Sequence, residues 1–128
     1  MKTNKKDKYF DIPKNYQNFV LVQKTNAKPE DYGYTKEAVL DVLNLVKNDP
    51  NNYDLEDDEL QNDLGCFFND RVCVERNVEF AKYWFAKSAD QGNDLARSNL
   101  ADIYRKGTDG TEVDLKKAFE LYKACGLP

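Results

Sequence analysis

The sequence contains no histidine. That absence removes the commonest general base and the commonest metal ligand, and with them the ordinary routes to acid–base and metal-assisted chemistry. Cysteine is scarce: only Cys66, Cys73 and Cys125 are present, with no CxxC spacing. A zinc site therefore has no support. An odd number leaves one thiol over in any intramolecular disulfide scheme, so reduced thiols in a reducing compartment are expected. No apolar run approaches the roughly 18 residues that a membrane span needs. Residues 1–8 are basic, but an acidic, aromatic segment follows where a signal peptide would carry its apolar stretch, which points to the cytoplasm. Excess positive charge is missing too. A net charge of −4 argues against nucleic acid, whose binding runs on clustered Lys and Arg, and it permits a basic protein partner.

What is present suits a thin, helix-rich protein. The 128 residues are 41% hydrophobic and 33% charged, enough apolar material for one modest core and no sign of a disordered chain. Self-similarity starts after residue 60. Leu64-Gly65-Cys66-Phe67-Phe68 aligns with Leu100-Ala101-Asp102-Ile103-Tyr104, a shift of 36. Val78-Glu79-Phe80-Ala81 and Phe85-Ala86-Lys87 align with Leu115-Lys116-Lys117-Ala118 and Tyr122-Lys123-Ala124, a shift of 37. The extra residue falls in the loop holding Gly107 and Gly110, where insertion costs little.

Each copy reads as two helices. Leu60, Leu64, Phe67 and Phe68 form an apolar stripe at helical spacing, with Asp54 as the expected N-cap and Glu56 to Glu59 supplying negative charge to the first turn. Asn77 caps a second helix that buries Phe80, Ala81, Trp84, Phe85 and Ser88, ended by Gln91-Gly92-Asn93. The second copy starts near Asp94, turns Ala96, Leu100, Ile103 and Tyr104 inward, and reaches Gly107. Asp114 caps its partner helix, with Leu115, Ala118, Phe119, Tyr122 and Cys125 expected to be buried. Upstream, Thr35 caps a helix with Val39, Val42, Leu43 and Val46 on one face, stopped by Asn48-Asp49-Pro50. Asp11-Ile12-Pro13 starts like a helix, and Ile12, Tyr16, Phe19 and Val20 keep helical spacing; the run from Phe19 to Val22 fits a strand equally. Residues 25–34 read as a loop and residues 1–8 as frayed.

The aligned residues resemble Sel1-like repeats, relatives of the tetratricopeptide repeat. Such repeats read as a small residue, Leu-Gly, a Tyr three residues on, a Gly-rich turn, an Asp or Asn cap, an Ala, and a closing aromatic-x-Lys-Ala-Ala. This chain has Leu64-Gly65 with Phe68, then Asn77, Ala81 and Phe85-Ala86-Lys87-Ser88-Ala89. It then has Ala96, Leu100-Ala101 with Tyr104, Gly107, Gly110, Asp114, Ala118 and Tyr122-Lys123-Ala124. Small residues let the paired helices approach, and aromatics fill the wedge between pairs. The first copy departs by carrying Arg71-Val72-Cys73-Val74 in place of the turn glycines, and the second has Ala101 where Gly is usual. The resemblance, over about residues 60–125, implies an all-α, short right-handed α–α solenoid. Because solenoids normally need about three repeats and capped ends, residues 1–53 are expected to supply an N-terminal helical cap with a degenerate half-repeat, continuous with two repeats over residues 54–128.

The resemblance implies protein binding and no chemistry of its own: no enzyme activity, cofactor or metal is expected, and neither nucleic acid nor membrane as a partner. Lys123-Ala124-Cys125 matches the helix ending of the cysteine-rich secreted branch of Sel1-like proteins, but Ser88 holds the corresponding place in the first copy, so that branch's disulfide pairing does not carry over. In helix-pair solenoids the first helix of each pair lines the concave side. That geometry sets Asn62, Asp63, Cys66, Phe67 and Asp70 beside Asn99, Asp102, Ile103 and Arg105. Phe67 and Ile103 either form the apolar centre of a binding patch or are buried against neighbouring helices. The carboxylates of Asp54, Glu56, Asp57, Asp58, Glu59 and Asp63 read as a solvated helix start or as an acidic patch for a cationic partner. The expected function is a dedicated inhibitor of immunity or antitoxin type covering a basic toxin or nuclease domain; the alternative is an adaptor in signalling or secretion with several weaker partners.

Overall fold

A computed structural model describes residues 12–14, 16–22, 27–108 and 110–126. Among them are five helices and no strand: α1 (Lys36–Asn48), α2 (Asp58–Asp70), α3 (Val78–Asp90), α4 (Asp94–Lys106) and α5 (Leu115–Ala124). The expected fraying of residues 1–8 and the helix start at Asp11 lie outside the described residues. Every helix begins at a polar side chain that accepts a hydrogen bond from a backbone N–H of the first turn, a group left unpaired at any helix start. Thr35, Asn77, Asn93 and Asp114 do this for α1, α3, α4 and α5. For α2 the cap is Asp57, which accepts from Leu60 N at 2.9 Å, and not Asp54. Asp54 instead lies in a 3-10 turn (Tyr53–Glu56) that tucks Leu55 into the core, and burying that side chain sets the helix start three residues later.

Helix α2 packs on α3, α3 on α4, and α4 on α5, giving two helix pairs of a short α–α solenoid. The centre is α3. Phe80, Ala81, Trp84, Phe85 and Ser88 are buried as expected, and so are Tyr83, Ala86 and Ala89, because α3 is covered by α2 on one side and α4 on the other. The α2–α3 approach rests on Gly65: a Cβ there would sit 2.4 Å from two carbons of the Phe85 ring. The turn after α2 holds Arg71 and Cys73 at φ +63°, the left-handed region that glycine normally occupies.

Ahead of the repeats, α1 buries Val39, Leu43 and Val46 and leaves Val42 half-buried. The helical reading of residues 12–22 is not what forms. A 3-10 turn (Tyr16–Asn18) leads into an extended segment whose Leu21 bridges antiparallel to Val74. Val22 N donates to Cys73 O at 3.0 Å, and Glu75 N to Val20 O at 2.9 Å. The 71–74 turn exposes backbone groups that no helix satisfies, and the Val20-Leu21-Val22 run supplies their partners. Phe19 then plugs the core edge-on to Phe68 and Phe80, at centroid distances of 5.1 and 5.7 Å. Lys47 Nζ lies 4.7 Å over its ring and donates to Phe19 O at 2.7 Å. Ahead of the repeats the described residues thus contribute one α-helix and an extended strap.

Helix α5 is less covered than its sequence suggests. Ala118 is buried, while Leu121, Tyr122 and Cys125 are half-buried and Leu115 and Phe119 are exposed. Among the described residues no further helix lies over that side of α5. The side equivalent in α3 is covered by α4, where Lys82 Nζ stands 5.7 Å over the Tyr104 ring.

Candidate interaction surface

The first-helix face brings α2 and α4 side by side, but it closes on itself. Phe67 and Ile103 are both buried, so they form no exposed apolar centre. The rings of Tyr32 and Tyr34 cover Phe67 edge-on, at 6.0 and 5.3 Å between centroids. Their hydroxyls donate to the two acidic residues of this face: Tyr34 to Asp63 at 2.6 Å and Tyr32 to Asp70 at 2.7 Å. Asn62 is 5% exposed, and its side-chain oxygen accepts from Asn99 Nδ2 at 3.0 Å. Asn62 is therefore an inter-helix strut and is not open to a partner.

Asp102 is half-buried and Arg105 exposed, and the two engage each other. Arg105 pairs with Asp102 at 3.5 Å and donates to the Tyr122 hydroxyl at 3.1 Å, while that hydroxyl donates to Asp102. Half-burial raises the Asp63 carboxyl above the ordinary carboxylate range, with Glu59 and Asp57 adding to it and the Tyr34 hydrogen bond opposing. Desolvation, then the charges of Asp70 and Asp63, push the Cys66 thiol up to about 12, so it stays protonated and is no nucleophile at neutral pH. Among the described residues no three His, Cys, Asp or Glu side chains are grouped to share a metal ion.

The acidic start of α2 is different. Residues 48–70 hold eight of the 23 Asp and Glu residues and none of the 19 Lys and Arg. Asp57 is used as the cap, and Asp58 accepts from Asn93 Nδ2 at 2.8 Å, which ties the ridge to α4. Gln91, at the end of α3, donates to Glu56 O and to Gln61 Oε1, both at 2.8 Å. Buried Gln61 in turn donates to Leu55 O at 2.9 Å. This scaffold fixes a shallow cavity of about 440 Å³ lined by Tyr53, Asp54, Glu56, Asp57, Asp58 and Gln91. Asp54, Glu56 and Glu59 are exposed, and among the described residues none of the ridge carboxylates forms an ion pair. Tyr53 projects beside them, 85% exposed. Sequence reasoning found the ridge but missed Tyr53 and Gln91, and missed the tyrosine cover over Phe67; adjacency to the acidic run was the signal available for Tyr53.

No helix among the described residues is long and apolar enough to cross a membrane. Neither the curated proteins nor the solved structures include a match to this chain. The family model of the Sel1 repeat matches twice, over residues 59–93 and 95–124, each match spanning one of the two helix pairs. Sel1 repeats generally mediate protein–protein interaction and are generally not enzymes. With both helix pairs matched over half of its length, the chain belongs to the Sel1 repeat family.

Proposed function

We propose that this protein is a cytoplasmic inhibitor of immunity or antitoxin type, which binds one basic protein partner, a toxin or nuclease domain, through the acidic ridge at the start of α2. The observation that carries this reading is the segregation of charge: 23 consecutive residues, 48–70, hold eight carboxylates without one cation. A one-sign patch of this kind raises the association rate with an oppositely charged protein and loses that effect as salt screens it. Tyr53 adds an aromatic face against which an Arg or Lys of the partner would pack.

Mild co-purification of the tagged protein from its native cells tests the reading. One stoichiometric basic partner is expected. Replacing Asp54, Glu56 and Glu59 with Lys spares the cap Asp57 and should slow association at low salt by about 10-fold or more. A protein that purifies alone, with no cationic protein competing for it, overturns the proposal. Several substoichiometric partners would favour the adaptor reading instead.

A further inference from the structure

One side of the second repeat is open where the matching side of the first is filled. Under the 36-residue shift Arg97 and Leu100 of α4 correspond to Gln61 and Leu64 of α2. Under the 37-residue shift Lys117, Glu120 and Leu121 of α5 correspond to Phe80, Tyr83 and Trp84 of α3. In the first repeat all five positions are buried, three of them aromatic rings. In the second only Leu100 is buried; Arg97, Lys117 and Leu121 are half-buried and Glu120 is exposed. The exchange of three rings for Lys, Glu and Leu leaves a groove of about 360 Å³ between α3, α4 and α5. Ala86 and Ala89 of α3, with Leu100 and Leu121, give it an apolar lining, and Asp90 and Glu120 add two carboxylates.

We propose that this groove takes an aromatic side chain of the basic protein partner, flanked in its own chain by Lys or Arg; the proposal rests on the partner reading above. Size and lining select the ring. The volume lies at the lower end of small-ligand pockets, room for one ring system, and the side chains it lacks relative to the first repeat are themselves rings. Charge selects the flanking cation. Arg97 is engaged by Asp94 at 2.6 Å, and Lys117 Nζ lies 5.3 Å over the Tyr104 ring. Among the described residues neither Asp90 nor Glu120 forms an ion pair, so these carboxylates are the charges left for a ligand. Position selects the protein. Asp90 lines the groove and Gln91, the next residue, lines the acidic cavity at the start of α2, so their Cα atoms are about 3.8 Å apart. A basic partner drawn to the ridge meets the groove around the end of α3. There a buried aromatic anchor supplies the lasting contact that surface charge does not.

Titration of the whole protein with tryptamine, an indole ring bearing an ammonium, should shift the amide signals of Ala86, Ala89, Leu100 and Leu121 in nitrogen–proton spectra. The affinity should be in the millimolar range of so small a ligand. Indole-3-propionate, the same ring with a carboxylate, should bind at least about threefold more weakly. Leu121→Trp returns the first repeat's ring to its place and should abolish tryptamine binding. Asp90→Asn together with Glu120→Gln, both at exposed positions, should keep the fold and weaken tryptamine about threefold or more. No shifts in the groove, equal binding of the two probes, or tryptamine binding unchanged in either variant overturns the site. In the co-purified complex Leu121→Trp should speed dissociation about tenfold, whereas the variant at Asp54, Glu56 and Glu59 acts on association. Tryptamine binding with partner dissociation unchanged gives the groove to a free cationic aromatic amine and overturns the assignment to the partner. Tryptamine binding with no partner found overturns the functional reading, and that assignment with it, while the chemistry of the groove stands.

Discussion

Gly65→Ala decides between two opposite expectations. Gly65 lies inside α2, where glycine costs about 1 kcal/mol relative to alanine through backbone entropy alone. Were it merely tolerated, the substitution would stabilise the protein by that amount. The geometry says otherwise: the added methyl would stand 2.4 Å from Phe85 Cδ1 and Cε1 and 2.8 Å from Cγ. The ring is itself 1% exposed, so it has no free space into which to turn. Overpacking of this kind costs about 1–3 kcal/mol. Set against the propensity gain, the net is a loss of up to about 2 kcal/mol, or a melting temperature lower by up to roughly 8 °C for a chain of this size. Thermal unfolding followed by far-ultraviolet circular dichroism measures it. Phe85→Leu made together with Gly65→Ala should cost less than the two changes added, because the smaller side chain relieves the clash. A variant that melts higher than the parent would refute the close-approach argument outright.

Two further changes test the first-helix face. Phe67→Ala should cost about 3–5 kcal/mol in a urea titration, the usual loss for a fully buried ring; a variant that folds normally and only loses a partner would return Phe67 to the surface. Asp63→Asn follows from the direction of the Asp63 shift. Its folded-state pKa is raised, so its contribution to stability is fully present below the unfolded carboxylate pKa and is lost as pH rises through the folded value. The ionised carboxylate is thus a burden at neutral pH. An amide keeps an acceptor for Tyr34, so the variant should melt higher than the parent at pH 7 and equally at pH 3, and a lower melting temperature at pH 7 would contradict the assignment.

Much of the fold is legible because its signals are local. The caps Thr35, Asn77 and Asp114 and the apolar periods of α1 to α4 each lie within a few residues of what they determine. The failures are non-local. Leu21 bridges Val74 across 53 positions, and nothing near residue 21 tells a helical stripe from a strap. Asp54 and Asp57 are equivalent as capping oxygens; burial of Leu55 between them decides for Asp57. The stripe of α5 reads as buried because periodicity reports which side is apolar and says nothing of whether a neighbour exists. The same limit left Phe67 undecided, since its cover comes from Tyr32 and Tyr34, about 35 residues upstream, in a stretch that reads as a loop.

That cover has a consequence for where a partner can bind. Between the repeats, Asn62 of α2 holds Asn99 of α4. Under the 36-residue shift Asn99 corresponds to Asp63, and Asp63 is held by Tyr34. The loop around Tyr34 therefore does for α2 what α2 does for α4, taking the place of a preceding repeat with two rings and two hydroxyls. A first-helix face occupied in this way by the chain's own N-terminal region has little left to offer: α4 contributes Asp102 and Arg105, already engaged with each other and with Tyr122. The ridge from Tyr53 to Glu59 has the opposite character, because its hydrogen bonds run to backbone and amide groups and leave its negative charge unneutralised among the described residues. Unneutralised negative charge is accordingly concentrated at the start of α2, where the proposal places recognition of a basic partner, and Asn93 and Gln91 tie that ridge to the helix pairs.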